Sequence, residues 1–156
     1  MKIHWKTLLA CILLPVATGA VAGGLTRGSM ETFRNLNQPP LSPPGWLFPV
    51  VWTILYVLMG LASYLAITSD APQEQITAAL KIYGLQLAVN FFWSLLFFNL
   101  GRYCLAFFWL LLLWVLISIN LAQFRAVTPK AAWLLVPYLG WVSFAGYLNL
   151  SICLLN

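Results

Sequence analysis

Charge is what this sequence has least of. Only 7% of its 156 residues are Asp, Glu, Lys or Arg, against about a quarter in an ordinary soluble domain. A chain with so little polar surface cannot clothe itself in water, so most of its surroundings must be lipid. The single histidine, His4, lies in the N-terminal tail, and the three acids, Glu31, Asp70 and Glu74, fall between the long apolar runs. No metal cluster, nucleophile–base pair or carboxylate pair can be assembled within those runs, which leaves no catalytic or metal-binding residue to nominate. The stretch "GGLTRGS" is glycine-rich but lacks the lysine and spacing of a phosphate loop, which argues against ATP-driven transport. Ion-coupled transport loses its usual support too, because no acid, lysine, arginine or histidine stands inside an apolar run. The net charge of +5 comes from basic residues scattered over termini and loops. They form no basic face for nucleic acid and suit anionic lipid headgroups better. Cysteine is scarce as well. Cys11, Cys104 and Cys153 stand alone without a C-x-x-C pattern, and read as buried thiols acting as small hydrophobes.

What is present is apolar sequence in membrane-length runs. About 20 residues rising about 1.5 Å each cross a hydrocarbon core of about 30 Å. Uncharged windows of that order run from Thr7 to Leu25, Trp46 to Thr68, Ile82 to Leu100, Tyr103 to Phe124 and Ala131 to Leu155. They lack the alternation of barrel strands, and lipid admits only helices or closed barrels. The expected fold is all-α, one five-helix membrane domain over residues 1–156 with a first loop at 26–45. Lys2 and Lys6 before "ATGAVAGG" also resemble a signal peptide. The run is long enough to span, however, and Gly19 and Gly23 give it small-xxx-small spacing, so it is read as a retained first helix. Lys2, Lys6, Lys81, Arg125 and Lys130 fall on one side and Arg27, Arg34 and Arg102 on the other. The positive-inside rule then puts the N-terminus in the cytoplasm and the first loop outside.

The second anomaly is eight tryptophans. Trp46, Trp109 and Trp133 lie near span ends, where an interfacial aromatic belt is expected. Trp52, Trp93 and Trp141 lie deeper. In the third span Gln86, Asn90, Trp93 and Phe97 share one helical face; in the fifth, Tyr138, Trp141, Ala145 and Asn149 do; in the second, Pro49, Trp52, Tyr56 and Ser63 do. These stripes are too polar to prefer lipid and should face the bundle interior. Asn90 and Asn149, taken singly, also fit as hydrogen-bonding partners between helices. Together, Trp52, Tyr56, Gln86, Asn90, Trp93, Phe97, Tyr138, Trp141, Ala145 and Asn149 form the candidate ligand site, suited to a flat, hydrophobic, partly polar molecule. Pro39, Pro40, Pro43 and Pro44 stiffen the loop before the second span, which reads as non-helical. A stiff loop of this length is commonly a lid; its candidate residues are Pro39, Leu41, Pro43, Pro44 and Trp46.

Three stretches, "PPGWLFPVVWTILYVLMG", "LQLAVNFFWSLLFF" and "AAWLLVPYLGWVSFAGYLN", resemble the signatures of the tryptophan-rich sensory protein family, also called the translocator protein or peripheral-type benzodiazepine receptor family. The match covers most of residues 33 to 149 in the same order. The resemblance implies a five-helix bundle, often a homodimer, in a membrane such as the bacterial inner membrane. It implies binding of porphyrins (protoporphyrin or haem, as ligand and not as resident cofactor), sterols, and isoquinoline or benzodiazepine drugs beneath the first loop. By motif position Trp52, Asn90, Trp141 and Ala145 would line that pocket. Two further readings accompany it: light- and oxygen-dependent porphyrin degradation, and regulation through a partner protein, with Gly19 and Gly23, or Gly60 and Ala66, as helix-contact faces. The chain departs from the family's loop pattern, W-Y-x-x-L-x-K-P-x-W-x-P-P. Thr32 and Leu41 stand at the tryptophan positions and Gln38 at the lysine, so the lid is expected to grip a porphyrin less firmly. No basic residue follows Tyr147 to complete the family's sterol-recognition pattern.

Overall fold

Backbone polar groups in lipid must bond within their own segment, and the computed structural model, which describes residues 2–156, answers with helices throughout. Helix α1 spans Trp5–Thr26; a 3₁₀ turn, Arg27–Ser29, leads into the short α2, Met30–Arg34. Then come α3, Leu47–Ile67; α4, Gln73–Ser94, prolonged by a π-helical turn, Leu95–Asn99; α5, Tyr103–Val127; and α6, Pro129–Leu155. No strand occurs among the described residues. Among the described residues five helices are long and apolar enough to cross a membrane, so the chain is a multi-pass integral membrane protein.

Local sequence explains the boundaries. Pro72 precedes α4 and Glu74 stands in its first turn, where the helix dipole favours an acid. That helix therefore begins at Gln73, well before the apolar run at Ile82. Thr128 is extended, and Pro129 takes the first helical position after it, where its missing N–H costs nothing. Helices α5 and α6 thus form an antiparallel hairpin. Around the bundle, α1 packs on α3, α3 on α6, α6 on α5 and α5 on α4.

Small residues set the closest approach. A Cβ on Gly60 would lie 2.6 Å from the Ile12 Cα and 2.7 Å from the Cys11 carbonyl oxygen, so α1 and α3 touch backbone to backbone there. Gly19 instead meets a side chain, the Tyr56 ring, and Ala66 is fully buried. Gly19, Gly60 and Ala66 are thus used in packing inside the bundle, whereas Gly23 is exposed with open space around it.

Three expectations need correction. The first loop is not wholly irregular: Thr26 ends α1, and residues 27–34 are helical. The proline strap proper begins after it. Its Leu41 adopts φ +70°, a conformation costly for a residue with a Cβ, and the Tyr147 hydroxyl donates to the Pro40 carbonyl at 2.8 Å. Second, Cys104 and Cys153 are not free thiols. They form a disulfide between the start of α5 and the end of α6, with Cα atoms 5.0 Å apart, because the hairpin brings those ends together; Cys11 alone is free and buried. Third, Trp109 is no belt residue. It is half-buried, and its indole N–H donates to the Val89 carbonyl at 2.8 Å across the α4–α5 contact. Trp46 and Trp133 are strongly exposed.

Candidate functional site

At the end of the bundle that carries α2, four long helices part around a cavity of about 480 Å³, within the usual range for small-molecule sites. Helix α1 contributes Val16, Ala20 and Gly23, small residues that leave the space open, and Gly19, against which the Tyr56 ring packs. Helix α3 contributes Phe48, Trp52 and Tyr56; the end of α4 contributes Trp93, Phe97 and Phe98; α6 contributes Trp141, Ala145 and Asn149. Helix α5 takes no part in the lining.

Trp52, Trp93 and Trp141, from three separate helices, thus converge on one cavity. Trp52 stacks on Tyr56 with centroids 5.6 Å apart and lies 6.3 Å from Trp93; Trp93 stacks on Phe97 at 5.4 Å. On the far side Trp141 meets Phe48 at 5.9 Å, edge to face. These spacings fall in the range favoured by aromatic pairs. The π turn has a specific role. Its wider step carries the backbone N–H of Leu100 to the Leu95 carbonyl, and brings Phe97 and Phe98, adjacent in sequence, both to the cavity.

Beneath the cavity runs a buried relay of neutral hydrogen bonds. The Tyr56 hydroxyl donates to Asn90 Oδ1 at 3.0 Å, Asn90 Nδ2 donates to the Tyr138 oxygen at 2.7 Å, and the Tyr138 hydroxyl donates to Gln86 Oε1 at 2.8 Å. A second pair ties the side wall: Trp93 Nε1 donates to Asn149 Oδ1 at 3.0 Å, and Asn149 Nδ2 to the Tyr103 carbonyl at 2.7 Å. The Trp141 N–H is buried with no acceptor among the described residues, which leaves an unspent donor on a residue of the cavity wall. Tyr56, Trp93 and Asn149 thus spend their polar groups on other residues of the protein, and most of the remaining wall is aromatic or aliphatic surface.

Placed against the candidate residues, Trp52, Tyr56, Trp93, Phe97, Trp141, Ala145 and Asn149 line the cavity, whereas Gln86, Asn90 and Tyr138 lie below the lining as its floor. The candidate lid residues Pro39, Leu41, Pro43, Pro44 and Trp46 are all outside the lining. The cover comes instead from α2, through Met30 and Phe33. Phe33 is buried and packs on Phe48, Phe97 and Phe98 with centroids 5.4–6.1 Å apart. The proline strap holds that cover from behind: Gln38 Nε2 donates to the Phe33 carbonyl at 3.1 Å, and Asn37 and Asn156 bond reciprocally. Sequence reasoning missed α2 and the whole α1 wall. Met30, Phe33 and Leu36, spaced by three, were the signal for the first. The small residues of α1 had a visible spacing whose use, as empty space, was not visible.

The sequence profile of the TspO/MBR family matches residues 11–155. Among individual relatives, a "Tryptophan-rich protein TspO" of Chlorobaculum tepidum is 36% identical over 151 residues, 96% of each chain. A "Translocator protein homolog" of Schizosaccharomyces pombe is 39% identical over 155 residues, covering 97% of this chain and 93% of the relative. The "Translocator protein" of Bos taurus is 34% identical over 147 residues, 93% of this chain and 87% of its own.

Proposed function

The chain belongs to the TspO/MBR family, and from that premise we propose that it is a membrane receptor or carrier for porphyrins and similar flat, hydrophobic molecules, which it takes into the cavity beneath α2. The observation that carries this reading is the meeting of Trp52, Trp93 and Trp141 on one space, with their neighbours Tyr56, Phe97 and Phe48. Stacking on such surfaces needs no charge and little hydrogen bonding, and a flat conjugated ring system offers the largest face to it. The floor supports the same reading. Its amides and hydroxyls are mutually satisfied, so an apolar ligand settles there without stranding a buried polar group. The aromatic walls position a ligand, and among the described residues no His, Cys, Asp, Glu or Lys lines the cavity.

Protoporphyrin added to purified protein should quench tryptophan fluorescence saturably. In a Trp52→Ala, Trp141→Ala double variant the affinity should fall by about fivefold to 150-fold, because each aromatic stacking contact contributes about 0.5–1.5 kcal/mol beyond burial. Unchanged affinity in that variant would overturn the assignment of the site.

A further inference from the structure

The walls of the cavity are largely apolar and, among the described residues, carry charge at one point. Among the described residues Arg27 is the only charged one in the lining, and no carboxylate accompanies it. The hydroxyls of Thr26 and Thr53, also in the lining, are spent on the carbonyls of Ala22 and Pro49, at 2.9 and 2.7 Å. Arg27 is exposed and stands at the end of the cavity where α1 gives way to the 3₁₀ turn. Its backbone is fixed there. Asn99, at the end of the π turn, donates through Nδ2 to the Leu25 carbonyl at 3.0 Å and accepts from the Ser29 hydroxyl at 3.0 Å. One amide thus clamps the residues two before and two after Arg27. The Met30 N–H closes the turn on the Arg27 carbonyl. Glu31, one helical turn further on, is exposed and outside the lining; Arg34 and Arg102 share this end of the bundle and are outside it too.

We propose that Arg27 sets the ligand class of this cavity: amphipathic acids, with a flat apolar body among the indoles and a carboxylate at the edge that meets the guanidinium. The inference rests on the small-molecule reading given above and adds an orientation to it. The planar fork of arginine matches a carboxylate, and its weak hydration suits a site at the lipid–water boundary. Neutral isosteres of the same shape would stack equally but lose the charge contact. An anionic lipid headgroup could offer the same chemistry to Arg27, and the test separates the two sources.

The experiment measures quenching of the full-length protein by two ligand pairs, protoporphyrin and its dimethyl ester, and pyrenebutyrate and its methyl ester, in micelles with and without anionic lipid. The wild-type protein should prefer each acid over its ester by about threefold to fivefold, the upper range for an exposed charge pair, and added salt should erode the preference. Arg27→Gln should remove the preference while ester affinity stays constant, which also reports that the variant is folded. Arg27→Lys should restore part of it, and Arg102→Gln should leave it intact. Equal affinity of acid and ester in the wild-type protein, or a preference that survives Arg27→Gln, would overturn the proposal while leaving the receptor reading in place. An acid preference that appears only with anionic lipid present would assign Arg27 to the headgroup and likewise overturn it. Failure of all four probes to quench saturably would sink both readings together.

Discussion

Replacing Gly60 with alanine adds one methyl group at the point where α1 and α3 touch. The added Cβ would lie 2.6 Å from the Ile12 Cα and 2.7 Å from the Cys11 oxygen. Both are backbone atoms, so no rotamer change relieves the clash and the two helices must separate. Overpacking costs about 1–3 kcal/mol, and a clash with the partner helix's backbone falls in the upper half of that range, about 2–3 kcal/mol. Alanine returns up to about 1 kcal/mol through its better helix propensity. The net expectation is a loss of about 1–2 kcal/mol. Gly84 supplies the control, since it is exposed on α4 and a Cβ there meets nothing within 4 Å. Gly84→Ala should leave the protein as stable as before or raise its stability by up to about 1 kcal/mol. The assay is thermal unfolding in detergent, followed by helical circular dichroism. At about 2–4 °C per kcal/mol for a chain of this size, Gly60→Ala should melt about 2–8 °C below the wild type, with Gly84→Ala at or above it. Because α1 walls the cavity, protoporphyrin affinity should fall along with stability in the Gly60 variant alone. Gly60→Ala melting at or above the wild type would refute the backbone contact between α1 and α3.

Two further outcomes follow from the hydrogen bonds and the disulfide. Tyr138→Phe strands Asn90 Nδ2 and Gln86 Oε1, and should lower stability by about 1–2 kcal/mol, given about 1–3 kcal/mol for a stranded buried group and the smaller average for polar pairs in membranes. Porphyrin affinity should change less than twofold, since Tyr138 lies below the cavity lining; a large loss of affinity with unchanged melting would place that hydroxyl against the ligand instead. The end of the bundle holding Cys104–Cys153 should face the oxidising side of the membrane, because disulfides persist there. A membrane-impermeant maleimide applied to intact cells should therefore label both cysteines only after reduction. Labelling without reductant would contradict the bridge, and inaccessibility from outside after reduction would contradict the orientation.

The spans were legible because bilayer thickness imposes a length that apolar composition alone reveals. Helix ends were not, wherever a helix continues into polar sequence. Gln73 to Lys81 carries too many polar residues to register as a span, yet continues the same hydrogen-bond ladder. The helical stripes brought Trp52, Trp93 and Trp141 to notice, since spacing along a helix fixes which side chains share a face. Spacing does not fix depth. Asn90 and Tyr138 lie on the same stripes as the lining residues, but their partners across the bundle bind them into the floor. The disulfide had a faint signal, because Cys104 and Cys153 stand almost equally far from Thr128, the hinge of the α5–α6 hairpin. Prolines drew attention to the strap at 39–45, whereas the cover is the unremarkable pentapeptide "METFR", whose Phe33 fills the space above the aromatic walls.

The claim on which the account turns is that one internal cavity, walled by indoles from three helices, holds the ligand. Photo-crosslinking with a diazirine derivative of protoporphyrin, followed by peptide mass spectrometry, tests it most directly. Adducts should concentrate on lining residues such as Val16, Phe48, Phe98 and Ala145 and disappear under excess unlabelled porphyrin. Competable adducts confined to the outer surface, at Trp46 or Trp133, would contradict it.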